Sequence, residues 1–296
     1  MAPEKNYNKI SSTALDVAFA RAYFTDMPYT WEIFKEVSNL VRVPLNLRAP
    51  SWLIRMATIF QRSNEHVAGL EIRYLSTNAM LESLGDEWAI VEIAAGISPR
   101  SLEWAGHRAL YIETDLPGMI ETKQELFNTI AAKKGLSDNP NHFFMQVNAL
   151  DPNDWDLLGQ TYFAKHDLSI AVVNEGLLSY LSREEKLRLR DNIKEFFTKY
   201  AVELSWITPD FTDRAGTNYL SKHYQKNTER KTGRAFDRFA NREEVTAFLK
   251  EGGFQVDFSQ DESILDKLTC IPKLHLQRER IRAILSSYQP CVARLG

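Results

Sequence analysis

Two short stretches carry the residue types and spacing that could hold a ligand. The first, Glu92-Ile93-Ala94-Ala95-Gly96-Ile97-Ser98-Pro99-Arg100, is a small-residue turn with one glycine and a cation behind it. The second, Ile112-Glu113-Thr114-Asp115-Leu116-Pro117, places a carboxylate nineteen positions beyond Gly96. Glycine lets a ligand approach the backbone closely. An acidic side chain about 20 residues past such a turn can hydrogen-bond the vicinal hydroxyls of a ribose. Each feature also has a plainer reading, Gly96 as a tight strand-to-helix turn and Asp115 as a helix cap. Their joint spacing in successive units favours a nucleoside.

A dinucleotide would call for a GxGxxG turn to seat its pyrophosphate on a helix N-terminus, and Ala94-Ala95-Gly96 lacks it. One glycine suits a phosphate-free nucleoside such as S-adenosylmethionine, whose carboxylate an arginine can pair with. Arg73 and Arg100 are the candidates.

The elements that must position these residues follow from pattern. Short, nearly continuous apolar runs predict five core strands at Trp88 to Ile93, Ala109 to Glu113, Phe143 to Val147, Leu168 to Val173 and Val202 to Ile207. Alternating with helical segments, they imply a mostly parallel sheet covered on both faces, with ligands outside the carboxyl ends of its strands. Ser98-Pro99 and Asp115-Leu116-Pro117 read as helix starts, and Ser182-Arg183-Glu184-Glu185 as a capping box. Asn241 caps a helix ended by Gly252-Gly253, and Phe254 to Phe258 alternates as an antiparallel edge strand does. Residues 13 to 84 show helical spacing only, with a turn bracketed by Pro44 and Pro50. The expected organisation is a helical cap over 1–85 and a core over 86–296, one compact unit. Residues 209–240 form a lid-like insertion before the last strands. Between Ser221 and Ala240 six basic residues face two acidic ones, which describes either a solvated helix face or a lid attracting an acidic substrate.

Composition narrows the classes further. The 296 residues are 44% apolar and 25% charged with a formal charge of -3, so the chain is globular and has no global field for nucleic acid or an anionic membrane. No apolar run reaches the ~20 residues of a membrane span and the start lacks a signal-like stretch, so the expected location is cytoplasmic. Cys270 and Cys291 lack CxxC spacing, and the six histidines show no metal-ligand spacing; no metal is expected. Neither a GxSxG elbow nor a GxxxxGK[ST] loop is present.

The ordered motifs Val91 to Arg100, Ile112 to Pro117 and Asn174-Glu175-Gly176-Leu177-Leu178-Ser179-Tyr180-Leu181 resemble those of the leucine carboxyl methyltransferase family. That family includes bacterial O-methyltransferases associated with polyketide biosynthesis. Upstream, Thr13-Ala14-Leu15, Arg21-Ala22, Asp26-Met27-Pro28-Tyr29 and Arg73-Tyr74 are similar to its amino-terminal pattern. The resemblance implies a Rossmann-like methyltransferase fold that binds S-adenosylmethionine and yields S-adenosylhomocysteine. It places Arg73 on the methionine carboxylate, Gly96 beside the methionine moiety and Asp115 on the ribose. Asn148 stands where the family has an aspartate on adenine, with Ala149 next to it. Glu92 and Arg100 count among the cofactor-binding positions, and Glu175 matches an acid near cofactor and acceptor. The chain departs from the family at Ala94, where Gly is usual, and at Ser98-Pro99, where Asp-Thr is usual.

The resemblance implies O-methylation of a small-molecule carboxyl or hydroxyl group. A carboxylate acceptor needs no general base; a hydroxyl would draw on Glu175 or His223. Two alternatives stay open: methylation of a protein C-terminal leucine carboxyl, and a non-catalytic domain binding S-adenosylmethionine or a metabolite.

Overall fold

The computed structural model describes residues 12–40, 64–136, 139–165, 167–210, 237–259, 261–288 and 290–295. The bracketed turn at Pro44 and Pro50, His223 and nearly all of the basic insertion lie outside these residues.

Seven strands form one sheet in the order β3-β2-β1-β4-β5-β7-β6. They are β1 (Ala89–Ile93), β2 (Leu110–Asp115), β3 (His142–Gln146), β4 (Ser169–Asn174), β5 (Glu203–Thr208), β6 (Phe254–Phe258) and β7 (Cys291–Leu295). The five expected core strands are present, shifted by about a residue, and all pair in parallel. Phe254 to Phe258 is the expected antiparallel edge strand. The sequence reading missed β7, which runs antiparallel between β5 and β6. The fold is Rossmann-like α/β with a helical N-terminal segment. Strand order reverses between β1 and β4, and the loops after such a pair are where open parallel sheets bind ligands.

Pleating sends Ala89, Val91 and Ile93 of β1 to one face and Ile90 and Glu92 to the other. On the first face they meet α6 (Pro152–Tyr162), α7 (Arg183–Tyr200) and α8 (Arg242–Glu251) through Trp155, Leu189, Ile193, Phe196 and Phe248, all buried. α7 starts at the expected capping box, with the Ser182 side chain accepting from Glu185 N and the Glu185 carboxylate from Ser182 N. Asn241 caps α8 as expected.

The opposite face is covered by α3 (Asn64–Glu82) through Met80 and Leu81. α1 (Ser12–Phe24) packs on α3 together with the helices at Ile264–Lys267, Cys270–Leu274 and Arg278–Ser287. α2 (Thr30–Leu40) lies against α5 (Pro117–Lys134). The helix after β1, α4 (Arg100–Trp104), is one short turn and more. The expected start is displaced by one residue: Pro99, not Ser98, takes the cap position and no side chain caps the helix, although Ser98 Oγ accepts from Arg100 N at 3.4 Å. Asp115 is not the cap of α5: that position is Leu116, and Pro117 opens the helix.

Candidate nucleoside site

The turn after β1 is built on left-handed backbone. Gly96 has φ +52° with nothing within 4 Å of where a Cβ would sit, so the space beside it is open. Ala94 has φ +51° without glycine's freedom, a conformation that costs a side-chain-bearing residue roughly 1–2 kcal/mol. Ala94 therefore stores strain at the position where the family pattern has glycine, as backbones at functional turns often do.

Gly96 and Asp115 meet directly. Gly96 N–H donates to Asp115 Oδ2 at 2.8 Å, and Leu116 N–H to Oδ1 at 2.7 Å. The loops after β1 and β2 are stitched by Ala95 N–H to Thr114 O, and the loop after β3 joins through Val147 N–H to Asp115 O, both 3.0 Å. Burial pushes the Asp115 pKa above its ordinary value, against the two amide bonds that favour the charge. The half-buried carboxylate keeps lone pairs beyond the two used here.

Asn148 stands on the same edge beyond β3, exposed. Its Oδ1 accepts from Leu150 N–H at 3.1 Å and its own N–H reaches Asp154 Oδ2 at 2.7 Å. That leaves its side-chain amide N–H groups, more than its carbonyl, to face a ligand. The Ala149 carbonyl turns inward to accept from Trp155 Nε1 and Asn192 Nδ2.

The loop after β4 carries a second, denser cluster. Glu175 accepts from Arg21 of α1 on one oxygen and from Arg100 Nη2 on the other at 2.7 Å. Arg100 is fully buried, also pairs with Glu92, and donates through Nε to Asn78 Oδ1 at 3.0 Å. Glu92 takes a further bond from the Tyr111 hydroxyl at 2.8 Å. Arg21 and Arg100 lie over the Tyr74 ring, 5.3 and 4.8 Å from its centroid. Burial alone would raise the Glu175 pKa, but Arg21, Arg100 and Arg73 outweigh it and bring it down to about 2.

These contacts bear on three of the expected positions. Arg100 has its fork filled by Glu92, Glu175 and Asn78. Glu92 is equally enclosed. Glu175 is held low by its arginine neighbours, which weakens it as a base. Arg73 is different. Its Nη2 and Nη1 lie 3.9 Å from Glu175 and from Asp210, beyond hydrogen-bonding distance, and its buried Nε has no partner among the described residues. It is the least committed guanidinium of the group.

Asp210, just past β5, was not singled out from the sequence. It accepts from Gly176 N–H at 2.7 Å, Leu177 N–H at 2.8 Å and Asn174 Nδ2 at 2.8 Å, shaping the loop on which Glu175 sits. A polar residue immediately beyond a strand was the signal that could have found it. Among the described residues no group of three or more His, Cys, Asp or Glu could hold a metal. No described helix is long and apolar enough to cross a membrane.

No protein-family model matches the chain, and no curated protein matches it by sequence. Solved structures similar in layout include an O-methyltransferase family protein from Burkholderia thailandensis, at 10% identity, 94% of this chain, 71% of that one and a TM-score of 0.48. Another is the magnesium protoporphyrin IX methyltransferase of Synechocystis with bound SAH, at 13% identity, 97% and 95% coverage and a TM-score of 0.45. A third is the pyocyanin biosynthetic protein PhzM, at 14% identity and a TM-score of 0.45 over 75% of this chain; the match spans 55% of that protein's length. Likeness this distant carries no argument about ligand or reaction.

Proposed function

We propose that this chain binds S-adenosylmethionine at the carboxyl edge of its sheet and methylates an oxygen of a small-molecule acceptor. The supporting observation is the direct Gly96–Asp115 contact beside open space, on the loops of adjacent parallel strands next to the reversal of strand order. The donor set fits the group. Asp115 has lone pairs left for ribose hydroxyls, Gly96 has no side chain in the way, and Arg73 has donors left for a carboxylate. Asn148 can offer its amide to the adenine edge. The motifs similar to leucine carboxyl methyltransferases point the same way.

When bound, the sulfonium supplies an activated methyl group. The chain's part is to align acceptor oxygen, methyl and sulfur, which in well-oriented systems amounts to effective molarities of roughly 10⁵–10⁸ M. With Glu175 held among arginines, an acceptor already ionised, such as a carboxylate, asks least of the described residues; a hydroxyl acceptor would turn to His223.

Titration calorimetry with S-adenosylhomocysteine tests the cofactor half, with binding expected for the parent and weaker binding for Asp115→Ala. Absence of heat with either sulfonium or thioether at millimolar concentration overturns it. Turnover is then read on carboxylic acids against phenols and against peptides ending in leucine. Binding without turnover on any of them replaces the enzyme by a sensor of the cofactor.

A further inference from the structure

A buried charged chain lies directly behind the Gly96 turn and none of the assignments above uses it. Glu113 of β2 is fully enclosed. Its Oε2 lies 2.5 Å from Lys123 Nζ of α5, and its Oε1 lies 3.0 Å from His142 Nε2 of β3. Lys123 is 1% exposed. The same Nζ donates to the backbone carbonyl of Ser98 at 2.5 Å. One ammonium thus ties the far side of the glycine turn to the helix that starts at Pro117 and to the strand that ends in Asp115.

Burying such a pair is a poor way to gain stability, because desolvation offsets much of the attraction and an apolar pair of similar volume often does as well. What an apolar pair cannot do is bond the Ser98 carbonyl. That carbonyl lies two residues beyond Gly96, in a turn whose Ala94 backbone is strained and whose serine makes only a 3.4 Å bond to the following helix. The turn therefore relies on Lys123 where a stronger cap would otherwise hold it.

We propose that Lys123 is a positioning residue: through its bond to the Ser98 carbonyl it fixes the turn in which Gly96 N–H meets Asp115, and so sets the grip on the nucleoside sugar. The proposal rests on the cofactor reading for its consequence, but its geometry can be tested without any ligand.

The test uses the whole protein as Lys123→Met and, because a lone Glu113 left buried can unfold the chain, as the double variant Lys123→Met/Glu113→Gln. Amide hydrogen exchange and the ¹H–¹⁵N resonance of Gly96 are recorded without ligand, with the β4 and α7 amides as controls. Protection at Gly96 is expected to fall about tenfold, as for one lost hydrogen bond to a charged donor, while the controls hold. Affinity for S-adenosylhomocysteine is expected to fall by a similar factor. Added to Asp115→Ala, the double variant should cost little more, because both changes act on one contact. An unchanged Gly96 amide, a uniform loss across the sheet, or additive effects on affinity overturns the proposal. If the parent binds no S-adenosylhomocysteine but Gly96 responds as expected, the positioning role stands and the cofactor reading fails.

Discussion

Two carboxylates at the same edge of the sheet are held in opposite ways. Asp115 faces backbone N–H groups, is half-buried, and has its pKa pushed up. Glu175 faces guanidinium groups contributed from α1, α3 and α4 and has its pKa pulled down to about 2. Each accepts two hydrogen bonds, one per oxygen, but the first meets only backbone dipoles whereas the second is neutralised by full positive charges. An equal count of bonds therefore leaves the two groups electrostatically different, because dipoles and full charges shift a carboxylate by different amounts. On the proposed reading, Asp115 and Arg73 would meet the ligand while Glu92, Arg100 and Glu175 hold the frame behind them.

The contrast can be broken most forcefully from the frame side. Arg100→Met leaves Glu92 buried without its guanidinium partner and Glu175 with Arg21 as its one remaining bonded arginine, and should cost about 3–5 kcal/mol in chemical denaturation; a cost below ~1 kcal/mol would return Arg100 to the ligand side. Asp115→Ala should cost less in stability but weaken S-adenosylhomocysteine binding by ~1.5–3 kcal/mol, the range for a hydrogen bond to a charged group. Arg73→Met should weaken binding to a similar degree, and it should do so for S-adenosylhomocysteine and not for adenosine, which lacks the carboxylate.

Acid sharpens the comparison through the sign of each shift. Glu175 is depressed from 4.5 to about 2 in the folded state, so its stabilisation is present above 4.5 and is lost as pH falls through the window to about 2. Glu175→Gln should flatten the unfolding free energy across that window. Asp115 is shifted upward and works with the opposite sign, so Asp115→Asn should not flatten it. The smallest effect is expected from Ala94→Gly. Relief of a left-handed alanine, partly cancelled by the extra freedom of unfolded glycine, should raise stability by up to ~1 kcal/mol in thermal unfolding.

Legibility followed the range of the interactions. Strands betrayed by local apolar runs and caps written in four consecutive residues, such as Ser182 to Glu185, could be read directly. The meeting of Gly96 and Asp115 was readable because a parallel βαβ unit brings successive strand ends together at one edge. The arginine cluster was not, since Arg21 and Glu175 are 154 positions apart and nothing local says which arginine reaches which acid. Lys123 was invisible for a related reason. On a helix rich in charge, only packing shows which lysine points inward. β7 was missed because Cys291–Leu295 is a short run interrupted by Arg294, and nothing local assigns it a slot between two earlier strands.

That slot has a consequence for how the chain is made. β6 pairs with β7 alone, and β7 also covers the outer side of β5. As synthesis proceeds from the amino end, β5 leaves the ribosome with its backbone row open, and the arrival of β6 does nothing to close it. Until residues 291–295 emerge, that row is a template for any extended segment nearby, so the nascent chain is open to wrong pairing throughout the interval between β5 and β7.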